Sequence, residues 1–427
     1  MLRALFLLLP LAAGALAWQE PVEIATGRGD KGPWRQNNSR YDYVDDGTVA
    51  FVPGGGIVLA WADQKGKDVW LRSLSRGRLT DPVNVSRSPG TFSWLPRIAV
   101  GRDGSHLYLL WQEIIFSGGS HGGEILFATS NDGGRSFSPP LNLSRSRGGD
   151  GKGRLSREVW SNGSLDIAVG GDGAVIAAWT EYHGALWLSR SRDGGASFEA
   201  PRRVAGDDAH PARAPALAAG RGATVWLAWT VGEDPAARIR IARSRDGGAS
   251  FGPPQLVGDP QGRADAPGLV LDGAGRLHLA YALHPEQGGA PAVRYTRASA
   301  GGRFAPARTL SAGAAAYPSL AGDGKDGLAL AWNKIGPAGR PRSLGIALSH
   351  DGGRSFTVPA EVPGSAAPPG GSNGSQQGLL GRKLAMDLSG RIALAASSLV
   401  PEQGSRVWLM RGEPATAGRQ QGGAGGP

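Results

Sequence analysis

The chain has 427 residues, 69 of them glycine and 30 proline, with 19% charged residues and no cysteine. That length allows a large core, but the lack of cysteine excludes disulfides, a lipoprotein anchor and thiolate metal sites, so stability has to come from packing and strand pairing. The formal net charge of +10 comes from scattered arginines with no long basic block, which reads as the composition of an arginine-rich proteome, and no nucleic-acid partner is expected.

At the N-terminus Arg3, the apolar run Leu5–Leu11 and the Ala15-Leu16-Ala17 triplet read as a Sec-type export signal over residues 1–17. The run is too short to span a bilayer and no second one follows, so no membrane insertion is expected and the location is secreted or periplasmic. The Ala/Gly/Arg/Pro bias points to a bacterial source. Residues 18–413 read as one domain and the Gly/Gln/Ala-rich stretch 414–427 as a disordered tail.

Internal repeats dominate residues 18–413. Ser130-Asn-Asp-Gly-Gly-Arg-Ser-Phe137 recurs as 191–198, 244–251 and 349–356, with its aspartate at Asp132, Asp193, Asp246 and Asp351 and its aromatic at Phe137, Phe198, Phe251 and Phe356. Ser299–Phe304 and Ser75–Leu79 are degenerate copies at the same spacing. An apolar residue follows each aromatic by six positions, as in Phe198/Val204, and Trp18/Ile24 fits the same rule. The mature chain therefore opens on the outer strand of a repeat whose earlier strands are missing. Those strands stand at the other end, as Ile392–Ala396 and Val407–Met410. The expected fold is an all-β, seven-bladed propeller of four-stranded antiparallel blades, closed by pairing the N-terminal strand (18–26) with the C-terminal strands (383–411). Six blades is the alternative if the termini pack elsewhere.

The four complete copies resemble the Asp-box (BNR) repeats of the sialidase-like propeller superfamily, and the resemblance spans residues 18–413. It implies that each box is the turn between the third and fourth strands, on the face away from any active site. The Asp should accept turn N–H groups, the Gly pair should supply positive φ, and the Phe should bury into the base of its own hairpin.

Ligands of propellers sit at the central funnel, on the face of the second-to-third-strand loops and the blade-to-blade connections. Arg157, Trp160, Tyr182, His183, Arg213, Asp265 and Arg382 fall there and are the candidate ligand-binding residues. Two connections, 145–160 and 364–378, are long enough to overhang the rim. By resemblance, a sialidase would need three arginines for a carboxylate, a Tyr–Glu nucleophile and an Asp acid/base. Tyr317, Glu113 and Glu181 are the catalytic candidates on that pattern. The Tyr/Phe-Arg-Ile-Pro signature of sialidases has no counterpart in the first inner strand, where Asp45–Phe51 carries no arginine; Pro96-Arg97-Ile98 is the nearest echo. No histidine pattern matches a metal site, so no metal and no cofactor is expected. Two readings remain: an exported monomeric binding or scaffold protein holding a glycan, peptide or protein at the funnel, and a sialidase-like glycoside hydrolase with a divergent site.

Overall fold

The computed structural model describes residues 16–415 except 117–121, 259–261, 287, 300–301 and 375–381. Among the described residues, seven antiparallel sheets form blades around a central channel, and two short two-stranded hairpins lie outside them. Blades 1–6 begin with the inner strands Val44–Phe51, Ser93–Val100, Leu165–Val169, Ala212–Ala219, Gly262–Leu271 and Ala315–Gly322. Each runs outward in chain order through a second and a third strand to an outer one, which in blade 1 is split into Arg78–Leu79 and Val83–Asn84. The second strands, such as Val175–Thr180 and Val225–Val231, are buried at every position. A sheet clamped between two neighbouring sheets buries both faces, which is why these strands read as unbroken apolar runs rather than alternating ones.

Blade 7 is shared by the two ends of the chain. Leu384–Met386, Ile392–Val400 and Gly404–Pro414 supply three strands, and Val22–Gly27 supplies the fourth, with Val22 opposite Leu409 and Gly27 opposite Ser405. A short extra strand, Leu16–Trp18, pairs beyond it with Gly412–Pro414. Leu16 and Ala17, the last two residues of the expected export signal, thus lie in this ladder. Residues 1–15 and the tail from 416 onward lie outside the described residues. Among the described residues no helix is long and apolar enough to cross a membrane.

The four Ser-x-Asp-Gly-Gly turns share one geometry. In the second, Ser191 Oγ bonds Asp193 Oδ1 at 2.7 Å and accepts from Gly195 N at 2.8 Å, while Asp193 accepts from the Ser197 N–H and hydroxyl. The Ser197 hydroxyl leads in holding the Asp193 carboxyl down to about 2. Each turn links the third and fourth strands of its blade, and those at 130–137, 244–251 and 349–356 bond the first hairpin of the same blade, as when Gly133 N donates to Ser105 O. These turns therefore occupy the face opposite the loops that form the funnel.

The box phenylalanines reach further than the hairpin base expected of them. Each packs at the seam between its own blade and the preceding one. Phe198 stands edge-on to Phe127 of blade 2, and Phe356 edge-on to Tyr295 of blade 5, each at 4.8 Å. Phe137 joins Val58 and Leu71 of blade 1. The apolar area available to an outer turn lies on the neighbouring sheet, and the ring reaches it. The second glycine follows the same contact. Gly353 has φ +72°, and a Cβ there would fall 1.7 Å from Tyr295 Oη. Gly353→Ala is expected to destabilise the protein by about 2–4 kcal/mol, combining left-handed strain with overpacking, read as a lower urea midpoint at unchanged slope.

Candidate functional site

The inner strands share a second device. Their ladders shift register between Trp94 and Arg97, Arg213 and Ala216, Asp265 and Gly268, and Ala316 and Ser319. Inside each bulge a non-glycine residue precedes proline with positive φ: Leu95 (61°), Ala214 (48°), Ala266 (53°) and Tyr317 (56°). Left-handed backbone at such residues costs of order 1–3 kcal/mol each and is held only where the surroundings impose it. Bulges re-aim side chains, and here Arg213, Asp265 and Tyr317 all line one cavity of about 700 Å³ at the funnel.

The wall on blades 4 and 5 is charged but internally neutralised. The Arg213 side chain is 3% exposed; its Nη2 lies 2.5 Å from Asp234 Oδ1 and 3.1 Å from Asp265 Oδ2. Its Nη1 donates to the carbonyls of Arg154 and Gly232. Arg263 donates to the other oxygen of Asp234 and lies 3.8 Å from Asp265. Burial alone would raise the Asp265 carboxyl, yet Arg213 and Arg263 hold it below the ordinary carboxylate range. His284 faces Arg263 across the ladder. Burial and then the Arg263 charge depress the imidazole, keeping it neutral at physiological pH. Burial raises the Tyr317 phenol, with Asp265 adding to the effect. Neither the His284 imidazole nor the Tyr317 hydroxyl has a hydrogen-bond partner among the described residues. The wall on blades 6 and 7 is glycine-rich, with Gly339, Gly370, Gly371 and Gly374 beside Arg340, Ser372 and Leu399.

The long connection 145–160 builds a third wall. It forms a hairpin, Lys152–Arg154 with Trp160–Asn162, anchored by Arg154 to Glu233 and Asp208 at 2.5 and 2.6 Å. Trp160, 38% exposed, faces the cavity and covers Lys152 Nζ, which lies 3.8 Å from the ring and 2.9 Å from Asn162 Oδ1. Burial brings this ammonium down to about 7 from 10.5. Below pH 7 the lysine is charged in both states; between 7 and 10.5 the unfolded chain holds the extra proton, so this group makes stability rise with pH. Lys152→Met is expected to flatten that rise between about pH 7 and 9, measured as unfolding free energy for both proteins across the range.

Of the sequence candidates, Trp160, Arg213, Asp265 and Tyr317 meet in this cavity. Arg382 lies below it in the channel, where its Nη2 donates to Asp166 Oδ2 at 2.6 Å and Leu217 O at 2.8 Å, tying the start of blade 7 to blades 3 and 4. Tyr182 stands edge-on to Trp160 at 6.4 Å and to His183 at 5.5 Å, outside the cavity lining. Arg157 is exposed, 3.9 Å from Asp208. Glu113 accepts from the hydroxyls of Ser88, Thr91 and Ser93 and from Trp111 Nε1. Glu181 accepts from Trp187 Nε1 at 3.1 Å. Neither glutamate lines the cavity with Tyr317. Asp234 and His284, which do, carried no motif; the repeated X-Pro dipeptide in the inner strands was the available pointer to the bulges beside them. No group of three or more His, Asp or Glu among the described residues is placed to hold a metal ion.

The molecule is thus a seven-bladed β-propeller with a funnel cavity of mixed polar and aromatic lining. No protein-family model matches the chain, and no curated protein matches its sequence. Solved structures do match its fold. An ulvan lyase of polysaccharide lyase family PL25 is 13% identical, with a TM-score of 0.57, over 91% of this chain and 95% of that one. A protein of unknown function from Dyadobacter fermentans is 15% identical, with a TM-score of 0.54, over 79% of this chain and 100% of that one. The Penicillium chrysogenum α-L-arabinanase, complexed with arabinobiose, is 11% identical, with a TM-score of 0.50, over 79% of this chain and 99% of that one. Sialidases are also among the similar structures, NanB of Streptococcus pneumoniae at a TM-score of 0.49 and 10% identity over 80% of this chain and 71% of that one. At these identities the likeness is one of fold.

Proposed function

We propose that this protein is an exported, Asp-box-type propeller that binds a carbohydrate in its funnel. The observation that carries this reading is the cavity itself: Trp160 presents an open ring face, His284 and Tyr317 present unengaged polar atoms, and the four charges around Arg213 cancel one another. A hydroxyl-rich ligand, neutral or acidic, suits such a lining, because rings stack on the indole, hydroxyls satisfy the imidazole and phenol, and Lys31 and Arg340 add positive charge to the rim. The fold is shared with a polysaccharide lyase and an arabinanase, which agrees with a sugar ligand. Titration calorimetry against oligosaccharides from arabinan, xylan and polygalacturonate tests it. Binding by the wild type is expected, weakened about tenfold or more by Trp160→Ala; no binding to any of them would sink the proposal.

A sialidase-like hydrolase is the second reading, favoured by Tyr317 lying in one cavity with Arg213 and Arg263. The engagement of both arginines by Asp234 and Asp265 weighs against it, since a substrate carboxylate would have to displace them. Turnover of a fluorogenic sialoside, lost in Tyr317→Phe, would reverse this order.

A further inference from the structure

The segment joining the outer strand of blade 7 to the inner strand of blade 1 carries an exposed tryptophan that is nevertheless fixed. Trp34 is 47% exposed. Its ring centroid lies 5.4 Å from Trp94 and 5.8 Å from Phe92, and it stacks on Tyr41 at 6.5 Å with a 22° interplanar angle. Asn37 pins the segment from below, donating to Ile114 O at 2.8 Å and accepting from Phe92 N at 3.1 Å. Lys67 adds Nζ bonds to the carbonyls of Asn37 and Gly90. An indole with so many aromatic neighbours could bury both faces; here the scaffold holds part of it in water. Phe116, 41% exposed, stands two residues beyond the Ile114 that Asn37 grips.

This aromatic platform is on the funnel face and is linked to the cavity rim by one ladder. Lys31 lines the cavity and is paired in register with Tyr41, whose ring stacks on Trp34. We propose that Trp34 is a second sugar subsite, and that the ligand is a glycan chain longer than the cavity, running from Trp160 over the Lys31–Tyr41 ladder to the Trp34 ring. This rests on the carbohydrate reading of the funnel. The size of the patch favours a sugar over a protein. A stable protein partner covers roughly 800 Å² on each side, whereas Trp34 and Phe116 are the large apolar side chains exposed here among the described residues. One indole face matches the apolar C–H face of one pyranose ring.

The full-length protein is oxidised mildly with N-bromosuccinimide and each tryptophan is read by peptide mass mapping, with arabinan, xylan, polygalacturonate or hyaluronan present as polymer or as disaccharide. A polymer is expected to slow oxidation of both Trp160 and Trp34 at least fivefold, and its disaccharide to protect Trp160 alone. Trp34→Ala is expected to weaken polymer binding about tenfold while leaving disaccharide binding unchanged, and Trp34→Phe to retain most of it. Polymers that protect Trp160 but leave Trp34 as reactive as in the free protein would overturn the second subsite and leave the funnel reading standing. Protection of neither tryptophan by any sugar would remove both. Protection of Trp34 without sugar, rising with protein concentration, would assign the platform to self-association and overturn the proposal as well.

Discussion

Arg213→Ala is expected to destabilise the protein by about 3–5 kcal/mol, the range for leaving buried carboxylates without their partner. Asp265 and Asp234 would then face each other with Arg263 as their remaining nearby cation. Thr230 Oγ1 and the Ala266 N–H would still bond Asp265, at 2.9 and 2.8 Å, but would not cancel its charge. The interpretation is tested by a double-mutant cycle. Adding Asp265→Asn removes the orphaned charge, so the double variant should recover part of the loss and show a clear coupling energy. Equal losses in the single and double variants would mean that Arg213 acts through its packing and carbonyl bonds instead. Chemical denaturation at neutral pH distinguishes the two.

Deleting residues 1–27 is the second large effect. The Val22–Gly27 strand covers the third strand of blade 7, and Ile24 is buried with Val407, Leu409, Val44 and Leu59 in a cluster that spans blades 7 and 1. Its loss leaves Gly404–Pro414 as an unpaired edge that invites association with other chains. The truncated protein should aggregate or lose its cooperative transition. A milder version, Ile24→Ala, should cost about 2–5 kcal/mol while keeping the fold. A truncated protein that stays monomeric with an unchanged transition would show that the ring does not depend on this strand.

Much of the architecture was legible because it is written in local chemistry. Four full and two degenerate copies of one turn at blade spacing counted six blades, and a stray Trp18/Ile24 pair at the front of the chain with Ile392–Ala396 and Val407–Met410 at its end located the closure in blade 7. The site was legible only in part. Arg213, Asp265, Tyr317 and Trp160 could be placed on the correct face because inner-strand starts and long connections follow from the repeat. What they touch could not be read. Asp234 neutralises Arg213 from a loop of the same blade, and Arg382 reaches Asp166, 216 positions away, across the channel. Charges alone made the arginines look available for a substrate; their partners were set by the bulges. Glu113 looked catalytic at a strand end, yet it is consumed by three hydroxyls and an indole. The contact of the box phenylalanines with the preceding blade was not legible, because a sequence shows a turn but not the sheet beside it.

The joint in blade 7 also sets the order of events in folding. Residues 22–27 pair with 405–409, the two ends of the propeller chain. Contacts at such separation carry the largest loop-closure cost and form slowly. Blades 1–6 can assemble as local hairpins, but the first strand has no partner until the last one is available. The ring is therefore completed as a single late step, and reopening it requires giving up a whole strand ladder at once.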